Sequence, residues 1–90
     1  MEDALVDWDD PDDADGNIAH VGEHGLTTDE VESVLLNPRA SHEVSSSSNR
    51  PIVFGLTYTG VYIVVVYEAL NPEDPLILRP ITAYEVPEPF

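Results

Sequence analysis

The sequence predicts an α+β domain in which two N-terminal helices pack on one face of an antiparallel β-meander. Three observations predict it. Apolar residues before Pro38 recur at helical spacing behind a full helix-start signal. After Pro38 they form strand-length runs punctuated by turn residues. Ninety residues without cysteine allow one small domain: an arm and two helices over 1–38, the meander over 39–86 and a tail over 87–90.

Taking the elements in order, Ala4 to Trp8 reads as a brief strand or an anchored arm, with Trp8 as its anchor. Asp9 to Asp15 form an acidic turn around Pro11. A first helix is expected from about Asp13 to His24. Its apolar stripe is narrow (Ile18, Val21), and Gly25 stands where a C-terminal cap belongs. Gly16 and Gly22 each cost about 1 kcal/mol relative to alanine, so this helix depends on packing. The second helix is better marked. Thr27 and Glu30 have capping-box spacing, and Leu26 and Val31 bracket them as a hydrophobic staple. Val31, Val34 and Leu35 share one face, Asp29 and Glu30 suit the positive end of the helix dipole, and Asn37-Pro38 stops the helix.

Ala40–Val44 reads as an edge strand and Ser45–Asn49 as a mobile loop. Ile52–Thr59 and Val61–Leu70 form a hairpin around Thr59-Gly60. A two-residue turn would set Leu56 opposite Ile63, Phe54 opposite Val65 and Ile52 opposite Tyr67, all facing the helices. The other face would carry Val53, Gly55, Thr57, Tyr62, Val64 and Val66. Such a face suits either a partner surface or an apolar central strand. Asn71–Pro75 is a loop by composition, and Leu76–Val86 the last strand, with Pro80 at a bulge or on an unpaired edge.

Charge excludes more than it identifies. Eighteen acids against three arginines and no lysine give a formal charge of −15. Such a chain lacks the basic stripe that unspecific nucleic-acid binding requires. Its acidity suits a high-salt habitat or a basic partner. With no cysteine, disulfide scaffolds and cysteine zinc fingers are excluded. No cationic start with an apolar stretch precedes Trp8, and the run Val61–Tyr67 is too short to span a bilayer. A cytoplasmic protein away from membranes is expected.

Several motifs match chemistry in letters only. His20-Val21-Gly22-Glu23-His24 spells the inverted zincin pattern, yet the chain is too short for a hydrolase cleft and Gly22 loosens the spacing. Aligning Gly16 with the invariant glycine of a calcium loop puts Pro11 and Gly22 at ligand positions, where neither can coordinate. Neither metal nor cofactor is therefore expected. Glu85 and Glu88 could act as acid and base, or simply end a strand. Arg50 and Arg79 read as ion-paired surface residues or as phosphate contacts on the sheet.

Trp8-Asp9, Asn17-Ile18, His20, His24-Gly25-Leu26-Thr27, Glu30-Val31, Val34-Leu35 and Asn37-Pro38 stand in the order of the N-terminal half of BrnT-type toxins. Arg50, Gly55, Thr59-Gly60, Tyr62–Tyr67 and Arg79–Glu85 continue the pattern. The chain thus resembles that family over about residues 7–86. The resemblance implies a RelE-like fold and a metal-independent endoribonuclease of a type II toxin–antitoxin pair, neutralised by an antitoxin. It further implies site residues His24, Arg50, Arg79, Tyr84 and Glu85, activating a ribose 2′-hydroxyl and stabilising phosphorane charge. The departures all remove positive charge: Val61 and Tyr84 replace arginines, Glu23 a lysine, and Pro87-Glu88-Pro89-Phe90 a basic tail. Two functions are therefore expected: a ribonuclease toxin that binds RNA through an intact local site, or a non-catalytic relative that binds a basic protein.

Overall fold

The computed structural model describes residues 4–44, 49–71 and 76–88. In chain order the elements are β1 (Leu5–Val6), α1 (Asn17–Glu23), α2 (Thr28–Leu35), β2 (Ser41–Val44), β3 (Pro51–Leu56), β4 (Tyr62–Asn71) and β5 (Ile77–Glu85). The strands form one sheet in the order β1-β5-β4-β3-β2. From β2 to β5 neighbours are antiparallel, as the meander requires, but β1 runs parallel to β5 through Leu5/Ile77 and Val6/Leu78. The sheet is therefore mixed, which corrects the all-antiparallel expectation. A two-residue bridge carries no sequence signal for its direction, and this arm simply joins the free edge beside β5. Of the expected loops Ser45–Asn49 and Asn71–Pro75, residues 45–48 and 72–75 lie outside the described residues, and Asn71 ends β4. Among the described residues no helix is long and apolar enough to cross a membrane.

α1 starts at Asn17 rather than Asp13, and the acids before it explain why. Asp10 Oδ1 accepts the Asp12 N–H at 2.9 Å and Asp13 Oδ1 that of Asp15 at 3.0 Å. These local bonds hold the segment in turns that compete with helix. The helix ends as its glycine predicts: Leu26 N–H donates to Val21 O at 3.1 Å and Gly25 N–H to Gly22 O at 3.0 Å, with Gly25 at φ +78°. That is a Schellman motif. α2 opens on the expected reciprocal cap, Glu30 N–H to Thr27 Oγ1 and Thr27 N–H to Glu30 Oε1, both 3.1 Å. Leu26 and Val31, the staple pair, are both buried.

The β3–β4 hairpin differs from expectation by one residue, and the difference inverts a strand. Thr57 N–H donates to Val61 O at 2.8 Å and Gly60 N–H to Thr57 O at 3.0 Å, with Gly60 at φ +89°. This is a three-residue loop, a type I turn followed by a left-handed glycine. The Thr57 hydroxyl accepts from the N–H groups of Thr59 and Val61, pulling Thr57 out of the strand and into the turn. Ile63 therefore opposes Gly55, Val65 opposes Val53, and Phe54 opposes Val64. A slip of one residue moves every side chain of a strand to the other face. Val53 faces the helices, completely buried, while Phe54 and Leu56 face away, Leu56 49% exposed.

The core lies between the helices and the inner sheet face. Val21, Val31, Val34 and Leu35 meet Val53, Ile63, Val65, Tyr67, Leu78 and Ala83. Each fully buried aliphatic side chain there contributes about 1.5–3 kcal/mol. Gly55 admits α2 to close range, since a Cβ at this position would sit 3.2 Å from Val34 Cγ1. Pro80 is fully buried beside a bulge: Thr82 pairs with Val66 and Pro80 with Tyr67, leaving Ile81 as the extra residue. A second irregularity falls between Ala69 and Asn71.

Candidate functional site

The five residues marked by the sequence do not form one cluster. His24 is the C-cap of α1, and its ring stands 5.7 Å from that of Tyr84 near the end of β5. Glu85 follows in the same strand; all three are exposed. Arg79 lies five positions before Tyr84 in β5, on the far side of the Ile81 bulge. Arg50 precedes β3 and donates through Nη1 to Glu68 Oε1 of β4 at 2.6 Å.

Arg79 is held by a clasp of the chain's own acids. Nη1 and Nη2 donate to Asp9 Oδ1 and Oδ2, each at 2.8 Å, and Nη1 also reaches Asp7 Oδ2 at 3.3 Å. The first of these is a forked, bidentate pair, the strongest geometry for arginine and carboxylate. Chiefly through that contact, and then through the Asn17 N–H, the Asp9 carboxyl is held below its ordinary 3.8. The Asp9 bonds likewise raise the Arg79 guanidinium, beyond a range where it could lose its proton. Asn17, 2% exposed, ties the clasp together. Its Oδ1 accepts the Asp9 N–H at 2.8 Å, and its Nδ2 donates to Pro80 O at 2.8 Å and Asp7 O at 3.0 Å. In return Asp9 Oδ2 accepts the Asn17 N–H at 3.0 Å, capping a helix whose own N-cap is a glycine. Gly16 is required here because a Cβ would lie 2.9 Å from Asp9 Cβ.

Register extends this arrangement across the sheet. Glu68 pairs with Arg79 between β4 and β5, while β1 runs into Asp7 beside Arg79. Arg50 before β3, Glu68 in β4, Arg79 in β5 and Asp7 after β1 thus alternate in sign. Both sheet arginines have carboxylate partners within the chain.

A second polar knot fastens α2 to the hairpin. Glu30 Oε2 accepts from Thr59 Oγ1 at 2.6 Å, and the Tyr58 N–H donates to Ser33 Oγ at 3.2 Å. The Thr59 bond first, and the Thr27 N–H second, hold the Glu30 carboxyl below its ordinary 4.5. Trp8 anchors the arm, its indole donating to Glu32 Oε2 at 2.8 Å. His42 Nδ1 lies 3.1 Å from the Tyr67 hydroxyl. Burial lowers the His42 imidazole and raises the Tyr67 phenol.

The sheet face turned away from the helices keeps the expected Tyr62, Val64 and Val66 but takes its β3 residues from the other alternation. Register places Ile52, Phe54 and Leu56 of β3 there, with Tyr62, Val64 and Val66 of β4 and Tyr84 of β5. Leu56 and Tyr84 are exposed there, Ile52, Phe54, Tyr62 and Val66 half-buried, and Val64 buried. Phe54 and Tyr62 lie nearly parallel, centroids 6.4 Å apart and planes at 17°. They line a pocket of about 350 Å³ together with Ser41, Glu43, Val86 and Pro87. A larger open groove of about 540 Å³ lies along α2, lined by Asp29, Glu32, Ser33, Leu36, Asn37 and Tyr58. Its Glu32 is already engaged by Trp8.

The zincin-like letters give no assembled centre: His20 is exposed and approaches Glu23 at 3.9 Å. Among the described residues no three His, Cys, Asp or Glu side chains gather. Sequence reasoning missed Asn17 as the keystone and Phe54–Tyr62 as an outward pair. The glycine at the third position of the Tyr58-Thr59-Gly60 loop was the signal for the second. No family model, curated protein or solved structure matches this chain.

Proposed function

We propose that this chain is a non-catalytic protein-binding module, keeping a fold of the BrnT and RelE toxin kind, that docks a basic protein on its outer sheet face. One observation carries the reading. The arginines that phosphate chemistry would need are paired with the chain's own carboxylates, while the sheet face away from the helices carries apolar and aromatic side chains that are half-exposed at Leu56 and Tyr84. Contiguous apolar surface of this kind marks interaction sites. At −15, long-range attraction selects a cationic partner and repels RNA. The order of two helices before the meander, and their packing on one face, support the kinship in fold.

The test is a titration with a lysine- and arginine-rich peptide containing leucines, beside an RNA cleavage assay. Binding should weaken as salt rises, and Leu56→Asp should reduce it about tenfold, as an interface centre would. RNA should be left intact. Cleavage by the intact chain that is lost in Arg79→Ala or His24→Ala would overturn the proposal in favour of a ribonuclease. The His24–Tyr84 contact with Glu85 adjacent is the observation on that second reading's side.

A further inference from the structure

The pocket lined by Phe54 and Tyr62 combines two features. Two nearly parallel rings line it, together with one carboxylate, that of Glu43 on edge strand β2. That carboxylate makes no ion pair or side-chain hydrogen bond with any described residue, unlike Glu30, Glu32 and Glu68. The remaining lining is Ser41, Val86 and Pro87, so a hydroxyl and apolar walls complete it. Its volume of about 350 Å³ falls at the small end of ligand pockets, which run about 300–1,000 Å³.

We infer that this pocket receives a single arginine side chain of the docked partner. A guanidinium is flat and weakly hydrated. It stacks on aromatic faces and presents a fork of N–H donors in its own plane. Beside the Phe54–Tyr62 pair it stacks on an aromatic ring, while an edge donates to Glu43. A lysine ammonium is a compact, strongly hydrated point charge that can use Glu43 but gains less from the rings. Exposed Leu56 and half-buried Ile52 and Val66 share the sheet face with these rings, so the arginine arrives on a chain with aliphatic neighbours rather than as a free guanidine. A second copy of this protein is disfavoured, because each copy carries −15. The inference rests on the outer face being the docking surface.

The experiment titrates the isotopically labelled full chain with a blocked peptide in which one arginine is flanked by leucines, and with its lysine and citrulline counterparts. The arginine peptide should shift the amide signals of Glu43, Phe54 and Tyr62 and bind about three- to tenfold more tightly than the lysine peptide. The citrulline peptide should bind least. Glu43→Gln should weaken the arginine peptide about two- to fivefold, the loss of one exposed charge pair. Tyr62→Leu, which keeps apolar bulk but removes a ring, should abolish the preference for arginine over lysine. Asp29→Asn in the helix-side groove should change nothing, and circular dichroism should show each variant folded. Equal binding of arginine and lysine peptides, unmoved by Glu43→Gln and Tyr62→Leu, would sink the pocket but leave the basic docking face standing. Failure of every peptide would sink both. Citrulline equal to arginine would instead mean a purely apolar groove. Dimerisation in sedimentation that Tyr62→Leu disrupts would assign the face to a second copy.

Discussion

Asn17→Ala is the most informative stability test, because the three bonds of one side chain hold the arm, α1 and β5 together. The amide is 2% exposed and satisfies the Asp9 N–H and the carbonyls of Asp7 and Pro80. Truncation leaves the Pro80 carbonyl, on a fully buried residue, with no replacement partner. A buried polar group left unpaired costs about 1–3 kcal/mol. Asp7 and Asp9 are half-buried and can turn to water, so their shares are smaller. A total near 2–4 kcal/mol follows, a large part of the roughly 5–13 kcal/mol available to a domain of this length. With a urea m value of about 1.5 kcal/mol/M, the midpoint should fall by about 1.3–2.7 M. Asn17→Asp should be at least as damaging, since it keeps the acceptor, loses both donors and adds a charge beside Asp7 and Asp9. A midpoint shift below about 0.3 M for Asn17→Ala at unchanged m would refute the keystone role.

Acid should weaken both polar knots. The Asp9 and Glu30 carboxyls are held below 3.8 and 4.5 in the folded chain. On acidification the unfolded chain therefore takes up protons first, and their stabilisation, complete above those values, is lost as pH falls through the lower folded ones. The stability gap between the native chain and Asp9→Asn or Glu30→Gln, measured by urea melts, should close toward pH 3; a gap constant from pH 7 to pH 3 would contradict this. Gly16→Ala would bring a Cβ to 2.9 Å from Asp9 Cβ and should cost about 1–3 kcal/mol in the same melts. Gly60→Ala meets no neighbour, so its cost should come from the left-handed backbone alone, about 1–2 kcal/mol.

Local chemistry was readable in the sequence, and long-range pairing less so. The Thr27–Glu30 cap, the Gly25 stop, the Trp8 anchor and the Pro80 bulge each follow from a few neighbouring residues, and each is present. The start of α1 was misplaced because side chains of Asp10 and Asp13 divert the backbone into turns before a helix can begin. The hairpin register failed for a sharper reason. Strands over Ile52–Leu56 and Tyr62–Tyr67 satisfy either alternation, because apolar residues occupy nearly every position. Only the Thr57 hydroxyl and Gly60 decide the loop length. The Arg79 clasp joins residues about seventy positions apart, and no spacing within either segment announces it.

The side on which Phe54 stands is the point from which the docking face, the aromatic pocket and its proposed ligand all follow, and nuclear Overhauser contacts from its ring measure that side directly. Cross-peaks to Tyr62 and Val64, with none to the methyls of Val31, Val34 or Leu35, are predicted. Contacts from Phe54 to those helix methyls would put its ring in the core and contradict the account.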